Sequence, residues 1–105
     1  MAYKWPDKDK DEIIDYSVDW SRFLATDNVS AVTWFINDAD NVKTQVSDAQ
    51  VVNGLQFVTG TFTTSVATIR LSLGTNNKRY TITCRVTTGS GLQYERSILL
   101  RVKEK

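Results

Sequence analysis

Histidine is absent from this 105-residue sequence, and cysteine occurs once, at Cys84. The absence of histidine excludes Ser-His-Asp and Cys-His catalysis, histidine general bases and histidine metal ligands. A single cysteine excludes a disulfide within the chain and a cysteine-based metal cluster. Because Cys84 lies on the apolar face of a predicted strand, we expect a small buried side chain rather than a reactive thiol.

Long apolar runs and catalytic motifs are also missing. No segment approaches the ~20 apolar residues that span a bilayer, and the charged N-terminal segment does not have the pattern of a secretory signal. None of the patterns GxGxxG, GxxxxGK[ST], HExxH or GxSxG occurs. We therefore expect a soluble protein made in the cytoplasm that makes no membrane contact, binds no cofactor or metal and is not an enzyme.

Two groups of carboxylates have a spacing that is worth testing against known sites. Asp15 and Asp19 share the solvent face of a predicted strand, where solvated charges are usual, so they do not indicate a glycosidase pair. Asp38 and Asp40 have the spacing that opens a calcium loop, but the required glycine and distal glutamate are missing. We predict a turn rich in Asp and Asn at residues 37–41.

The clearest positive signal is a β-hairpin over residues 79–102. Apolar and polar residues alternate along both arms, and a strand side chain changes face at every residue. Gly89-Ser90-Gly91 supplies the positive-φ positions that a tight reversal needs. The predicted inward row is Tyr80, Ile82, Cys84, Val86, Ile98, Leu100 and Val102. The predicted outward row, assigned to a protein interface, is Thr83, Arg85, Arg96 and Arg101.

Further strands are predicted at residues 12–20, 29–36, 42–46, 55–58 and 67–73. Residues 51 and 52 are interpreted as a continuation of the strand at residues 42–46, and residues 59–65 are interpreted as a hydroxyl-rich loop or edge strand. Leu73 is predicted to point inward, and residues 19–24 could form one helical turn. Turn signals about every ten residues favour an all-β sandwich of about seven to eight antiparallel strands over residues 12–105. Residues 1–11 are predicted to form an extended arm.

Trp34 on an early strand and Cys84 on the penultimate strand are typical of immunoglobulin-like (Ig-like) domains. No second cysteine faces Cys84, and Ile82 occupies the position of the usual tyrosine-corner residue. Tyr80 could provide the equivalent packing. We therefore predict an Ig-like sandwich in the loose sense, without a disulfide.

The net charge of +1 conceals an asymmetry, because residues 1–50 carry a net charge of −5 and residues 51–105 carry +6. These charges are either solvated on all sides or suited to contacts between unlike faces. The aromatic residues of the arm either cover the edge of the sandwich or dock on a neighbouring subunit. The candidate interface residues are Tyr3, Trp5, Asp15, Asp19, Arg85, Arg96 and Arg101.

Two other binding functions are compatible with parts of the sequence. Arg85 and Arg96, with Tyr94, could form a basic face for nucleic acid. An isoelectric point of about 7.8 and the acidic first half disfavour this function. Sugar binding by exposed Trp or Tyr remains open, because aromatic platforms leave no sequence motif.

Three stretches resemble small structural proteins of tailed phages. Residues 8–20, KDKDEIIDYSVDW, are similar to the family opening KDPDEVLDYxxDW, except that Lys10 stands where the family often has Pro. Residues 29–34, VSAVTW, are similar to ISSVTW, and residues 80–102 are similar to the ending YTVTCRITT…GRxxERSxxLRV. Order and spacing agree along most of the chain, and residues 42–66 form the weakest part.

The resemblance implies an Ig-like virion structural protein that joins the tail or neck to fibres or to neighbouring tail proteins. It implies other virion proteins as partners, a ring homo-oligomer in the particle and no catalytic residues. In such a ring we expect the acidic residues 7–19 to face the basic hairpin, with Arg85, Arg96 and Arg101, of the neighbouring copy or of another tail protein. The alternative is an Ig-like module that binds carbohydrate or a cell surface.

Overall fold

The structure, a computed structural model, describes residues 3–9, 11–24, 27–37, 43–46, 50–52 and 54–103. In chain order its elements are β1 (Tyr3–Lys4), β2 (Ile14–Asp19), α1 (Ser21–Leu24), β3 (Val29–Asn37), β4 (Lys43–Val46), β5 (Gln50–Val52), β6 (Leu55–Phe62), β7 (Val66–Leu73), β8 (Lys78–Thr88) and β9 (Gln93–Val102). Two sheets form, with the strand orders β1-β9-β8-β3-β4 and β2-β7-β6-β5. All neighbours pair antiparallel except β1, which runs parallel to β9. The predicted all-β sandwich is confirmed.

The core lies between the two sheets and is built from the alternating apolar rows. All seven residues of the predicted inward row of the hairpin are at most 1% exposed, which confirms that row. Ile69 and Leu71 of β7 face them from the other sheet and are also fully buried. Burying a side chain of this size contributes about 1.5–3 kcal/mol. The hairpin therefore supplies a large part of the apolar burial that holds the sheets together.

Tyr80 and Cys84 are both fully buried in this core. The Tyr80 hydroxyl accepts a hydrogen bond from the backbone N–H of Thr75 at 3.1 Å, which ties β8 to the turn that precedes it. Cys84 is the cross-strand neighbour of Trp34. Burial raises the pKa of the Cys84 thiol to about 12, although the nearby Trp20 indole and the charge of Arg96 act in the opposite direction. The thiol stays protonated at neutral pH and is a packing residue, as predicted.

Leu73 does not point inward. The predicted alternation holds through Leu71 and then fails, because Ser72 is buried while Leu73 is 51% exposed. The backbone of Leu73 has a φ of 61°, in the left-handed region. Its side chain therefore does not continue the inward and outward alternation of the strand. Gly74 follows with φ of 116°, and a Cβ at this position would lie 2.7 Å from Cγ2 of Val102. The turn that ends β7 therefore decides the orientation of Leu73.

The middle of the chain departs from the sequence prediction at residues 51 and 52, whereas residues 59–62 adopt one of the two predicted alternatives, the edge strand. Residues 51 and 52 do not continue β4, because β5 pairs with β6 in the opposite sheet. The chain thus changes sheets between Val46 and Gln50. Residues 59–62 continue β6 as a strand after a register shift between Phe57 and Thr59. The predicted turn at Asp38 and Asp40 lies outside the described residues.

Candidate functional site

The N-terminal segment, defined as residues 3–9, lies along the outer edge of β9. Trp5 N–H donates to the carbonyl of Leu99 at 3.0 Å, and Lys8 N–H donates to the carbonyl of Arg101 at 3.0 Å. Lys103 N–H donates in turn to the carbonyl of Lys8 at 2.8 Å. These bonds occupy backbone groups that an edge strand otherwise leaves open to other chains. The backbone of Tyr3 pairs with Ile98, and the Tyr3 side chain lies outside the described part of the chain.

The aromatic contact of this segment joins it to the other sheet. The Trp5 ring stacks on the ring of Tyr16, with 4.6 Å between centroids. The Tyr16 hydroxyl donates a hydrogen bond to the carbonyl of Pro6 at 3.1 Å. Burial raises the pKa of Tyr16 to about 12, so this donor persists over the neutral range. Within one chain Trp5 covers its own sandwich, and contact of Trp5 with a neighbouring subunit stays a prediction.

Lys8 is a buried anchor of the N-terminal segment that the sequence did not reveal. Its side chain is fully buried, and Nζ donates to the carbonyls of Leu73 at 2.7 Å and Asp9 at 2.8 Å. Burial lowers the pKa of Lys8, while the nearby charges of Glu12, Asp9 and Asp11 oppose that shift. Alternating Lys and Asp residues give no periodic signal, so only the folded chain identifies this lysine as an anchor.

The two predicted acidic residues lie on the outer face of the β2-β7-β6-β5 sheet, and their charges are engaged locally. Asp15 pairs with Arg70 at 2.7 Å, and the hydrogen bond from Arg70 lowers the pKa of the carboxyl. Asp19 accepts a hydrogen bond from the backbone N–H of Ser21 at 2.9 Å, which lowers its pKa. Both side chains are exposed, so these contacts contribute little to stability.

Two of the three predicted basic residues share the opposite outer face of the sandwich. Nη2 of Arg85 lies 2.7 Å from Glu95, and its guanidinium lies 4.6 Å from the centre of the Phe35 ring. Nη2 of Arg101 lies 2.8 Å from Asp7 of the N-terminal segment. The acidic and basic halves of the sequence therefore meet within the same chain.

The outward assignment of Arg96 is wrong. Arg96 lies opposite Cys84, in the row of β9 that also contains Ile98 and faces the other sheet. Its guanidinium lies 5.0 Å from the centre of the Trp20 ring, at the end of the core, where a cation–π contact is favourable. The sequence contained this signal, because Arg96 precedes buried Ile98 by two residues and strand faces repeat every two residues.

The outer face of the hairpin contains one further arginine that was not predicted. Arg79 on β8 lies directly opposite Arg101 on β9. Arg79 is exposed, whereas Arg101 is partly buried and bound to Asp7. This like-charge pair was visible only after the hairpin register was known.

An open groove lies where the two sheets separate, between β3 and β6. Its volume is about 460 Å³, and its lining residues are uncharged. Phe62 at its rim is 45% exposed, while the described Trp and Tyr side chains are buried or half-buried. Among the side chains that the structure describes, no exposed Trp or Tyr offers the platform that the carbohydrate alternative requires.

The described residues contain no group of three or more Cys, Asp or Glu side chains placed to hold a metal ion. In the same part of the chain, no helix has the length and apolar character needed to cross a membrane. The fold and site define a small β-sandwich with hydrogen-bonded and ion-paired outer surfaces.

Residues 8–101 match the sequence model of one protein family. This family is described as Gp77, podophage GP4 fiber-tail adaptor protein gp77. The chain belongs to this family, and the predicted resemblance to tailed-phage fibre–tail adaptors is confirmed. A search of curated proteins found no match.

Proposed function

We propose that this protein is a structural adaptor of a tailed-phage virion that connects tail and fibre proteins through protein–protein contacts. The family match over residues 8–101 carries this conclusion. The described surface is consistent with it, since it contains strand edges, ion pairs and hydroxyl groups. The protein is synthesised in the host cytoplasm, assembles into the virion at the tail or neck, and performs no catalysis.

We propose that several copies form a ring in the particle. A ring requires two different surfaces that fit each other head to tail. The two outer faces of this sandwich differ, because one carries Asp15 and Asp19 and the other carries Arg85 and Arg101. Asp7 and Asp15 already have partners within the chain. An acidic-to-basic contact between copies would replace those ion pairs, so we expect its net electrostatic gain to be small.

We also propose that the sandwich is Ig-like. The strands β2, β7 and β6 take the places of strands B, E and D of that fold, and β3, β8 and β9 take the places of C, F and G. The bond between the Tyr80 hydroxyl and the backbone upstream supports this, because it resembles the tyrosine corner.

Phage particles produced without this protein provide the test of the adaptor function. We expect such particles to have tails without fibres, and we expect addition of the purified protein and then fibres to restore the attachment. Electron microscopy measures the fraction of tails that carry fibres. Fibre attachment at the normal level in particles shown to lack the protein would refute the adaptor role.

A further inference from the structure

Three positive side chains lie together on the outer face of the β1-β9-β8-β3-β4 sheet. We define Arg79, Arg101 and Lys103 as the cationic cluster. Arg79 and Arg101 are directly opposite each other in the β8–β9 register, and exposed Lys103 follows Arg101 by two residues. Asp7 binds Arg101 at 2.8 Å. Arg79 and Lys103 have no side-chain partner among the described residues.

This arrangement departs from the pattern at the other two arginines on the outer faces of the sheets. Arg85 lies opposite Glu95, and Arg70 lies opposite Asp15, so each of these faces a carboxylate across the strands. Like charges placed directly opposite each other destabilise an antiparallel pair.

Arg101 also carries a second unfavourable feature. Its Nε is buried and has no hydrogen-bond partner in the described part of the chain. Departures of this kind from local rules are concentrated at functional positions.

We propose that the cationic cluster binds carboxylates on an acidic segment of a tail or fibre protein. This inference rests on the proposed adaptor function and specifies one of its contact surfaces. The contact between Asp7 and Arg101 demonstrates that a carboxylate carried by an extended segment fits this face. A second carboxylate that approaches from solvent would neutralise Arg79 and relieve its repulsion by Arg101.

A protein carboxylate fits this surface better than a nucleic-acid backbone. Asp7 occupies part of the cluster, and Glu95 lies on the same outer face of β9. These negative charges would repel a continuous chain of phosphates, whereas one or two carboxylates can approach Arg79 and Lys103 without meeting them.

The test compares Arg79→Gln with Arg22→Gln, which removes the same charge from an exposed residue of α1. The measurement is binding of each purified full-length variant to tail particles that lack the protein. We expect Arg79→Gln to weaken binding by about two- to fivefold and to raise the midpoint of thermal unfolding, because a repulsion is removed. We expect Arg22→Gln to bind like the wild type. Equal binding by the wild type and Arg79→Gln would overturn the inference.

Competition experiments identify the chemistry of the partner. We expect a hexaglutamate peptide to compete with the particles for the wild-type protein more effectively than a DNA duplex of equal charge. Stronger competition by the duplex would reject a carboxylate partner. If the wild type binds and the two variants bind equally well, the cluster proposal fails while the adaptor function stands. If the wild type does not bind the particles, the adaptor function itself fails.

Discussion

The C-terminal hairpin and the N-terminal segment are neighbours in one sheet, yet they are held in different ways. The hairpin brings together strands that are close in sequence, and its inward row is fully buried. The N-terminal segment contacts residues far along the chain through backbone bonds to β9, one aromatic stack and the buried Lys8. The hairpin is therefore part of the hydrophobic core, whereas the segment is fastened to the outside by a few specific contacts.

This difference leads us to expect two levels of stability. Regions with few buried apolar contacts open at a lower free energy than the core. The N-terminal segment could then detach without unfolding of the sandwich, which would leave the edge of β9 open to another chain. The predictions that follow test whether the two regions behave as separate units.

The largest effect is expected for Ile82→Ala in the centre of the hairpin. Ile82 is fully buried, and its truncation leaves a cavity that costs about 2–5 kcal/mol of unfolding free energy. Urea denaturation followed by circular dichroism measures this loss. The control is Leu92→Ala, since Leu92 is 53% exposed at the hairpin tip and should change stability by less than about 0.5 kcal/mol. A loss below about 1 kcal/mol for Ile82→Ala would contradict the central role of the hairpin.

A smaller effect is expected for Lys8→Ala. This change removes the hydrogen bonds to the carbonyls of Leu73 and Asp9 and should cost about 1.5–3 kcal/mol. We expect faster hydrogen exchange at the amides of Trp5 and Lys103, with little change at hairpin amides such as that of Ile82.

Lys8→Met is the matched control, because it keeps the apolar stem and removes only the charged donor. Equal amide protection in Lys8→Met and the wild type would mean that packing, not hydrogen bonding, holds the segment. Equal loss of protection in the hairpin and the segment would mean that they form one cooperative unit.

The smallest effect is expected at the tip of the hairpin, where Asp27 binds Ser90. Hydrogen bonds, chiefly from the Ser90 hydroxyl and then from Thr88 and Asn28, lower the pKa of the Asp27 carboxyl from 3.8. The stabilisation that the Asp27 carboxylate gives to the hairpin tip is therefore complete above pH ~4, and it is lost as the pH falls through the lowered pKa. We expect the exchange protection factor of the Ser90 amide to decrease below pH ~4.

The Asp27→Asn variant has no ionisable group at position 27. The exchange protection factor of its Ser90 amide should therefore show no step below pH ~4. The core amides of the hairpin should stay protected in both proteins. A step of the same size in Asp27→Asn would assign the pH dependence to another group.

Most of the hairpin could be predicted because its pattern is local. Alternation placed the apolar residues of both arms correctly, and Gly91 has the positive φ of 90° expected at the reversal, whereas Gly89 does not. Arg96 was also predictable, because it precedes Ile98 by two residues on the same strand and therefore shares its inward face. Leu73 was not predictable from alternation, because the turn that follows it changes the backbone conformation.

The candidate site was predictable only in part. The sequence indicated Trp5, Arg85 and Arg101 as surface candidates, but not the partners that each one meets. Lys8 gave no signal because its burial depends on strands that are distant in sequence, and the Arg79–Arg101 pair depends on the register of the hairpin, which alternation alone does not fix. The change of sheet between Val46 and Gln50 was missed for a similar reason, since short apolar stretches do not specify the sheet they join.

The sequence by itself determined the all-β class, the alternating core rows, the absence of histidine and disulfide chemistry, and the resemblance to phage adaptors. Those features depend on residue type and on spacing within single strands. Only the tertiary structure decided that Asp7 meets Arg101, that Lys8 is buried and that Arg79 faces a like charge. The first two are relations between distant segments, fixed by strand order, and the third is set by the register of the hairpin. The cationic cluster can therefore be recognised only in the folded chain.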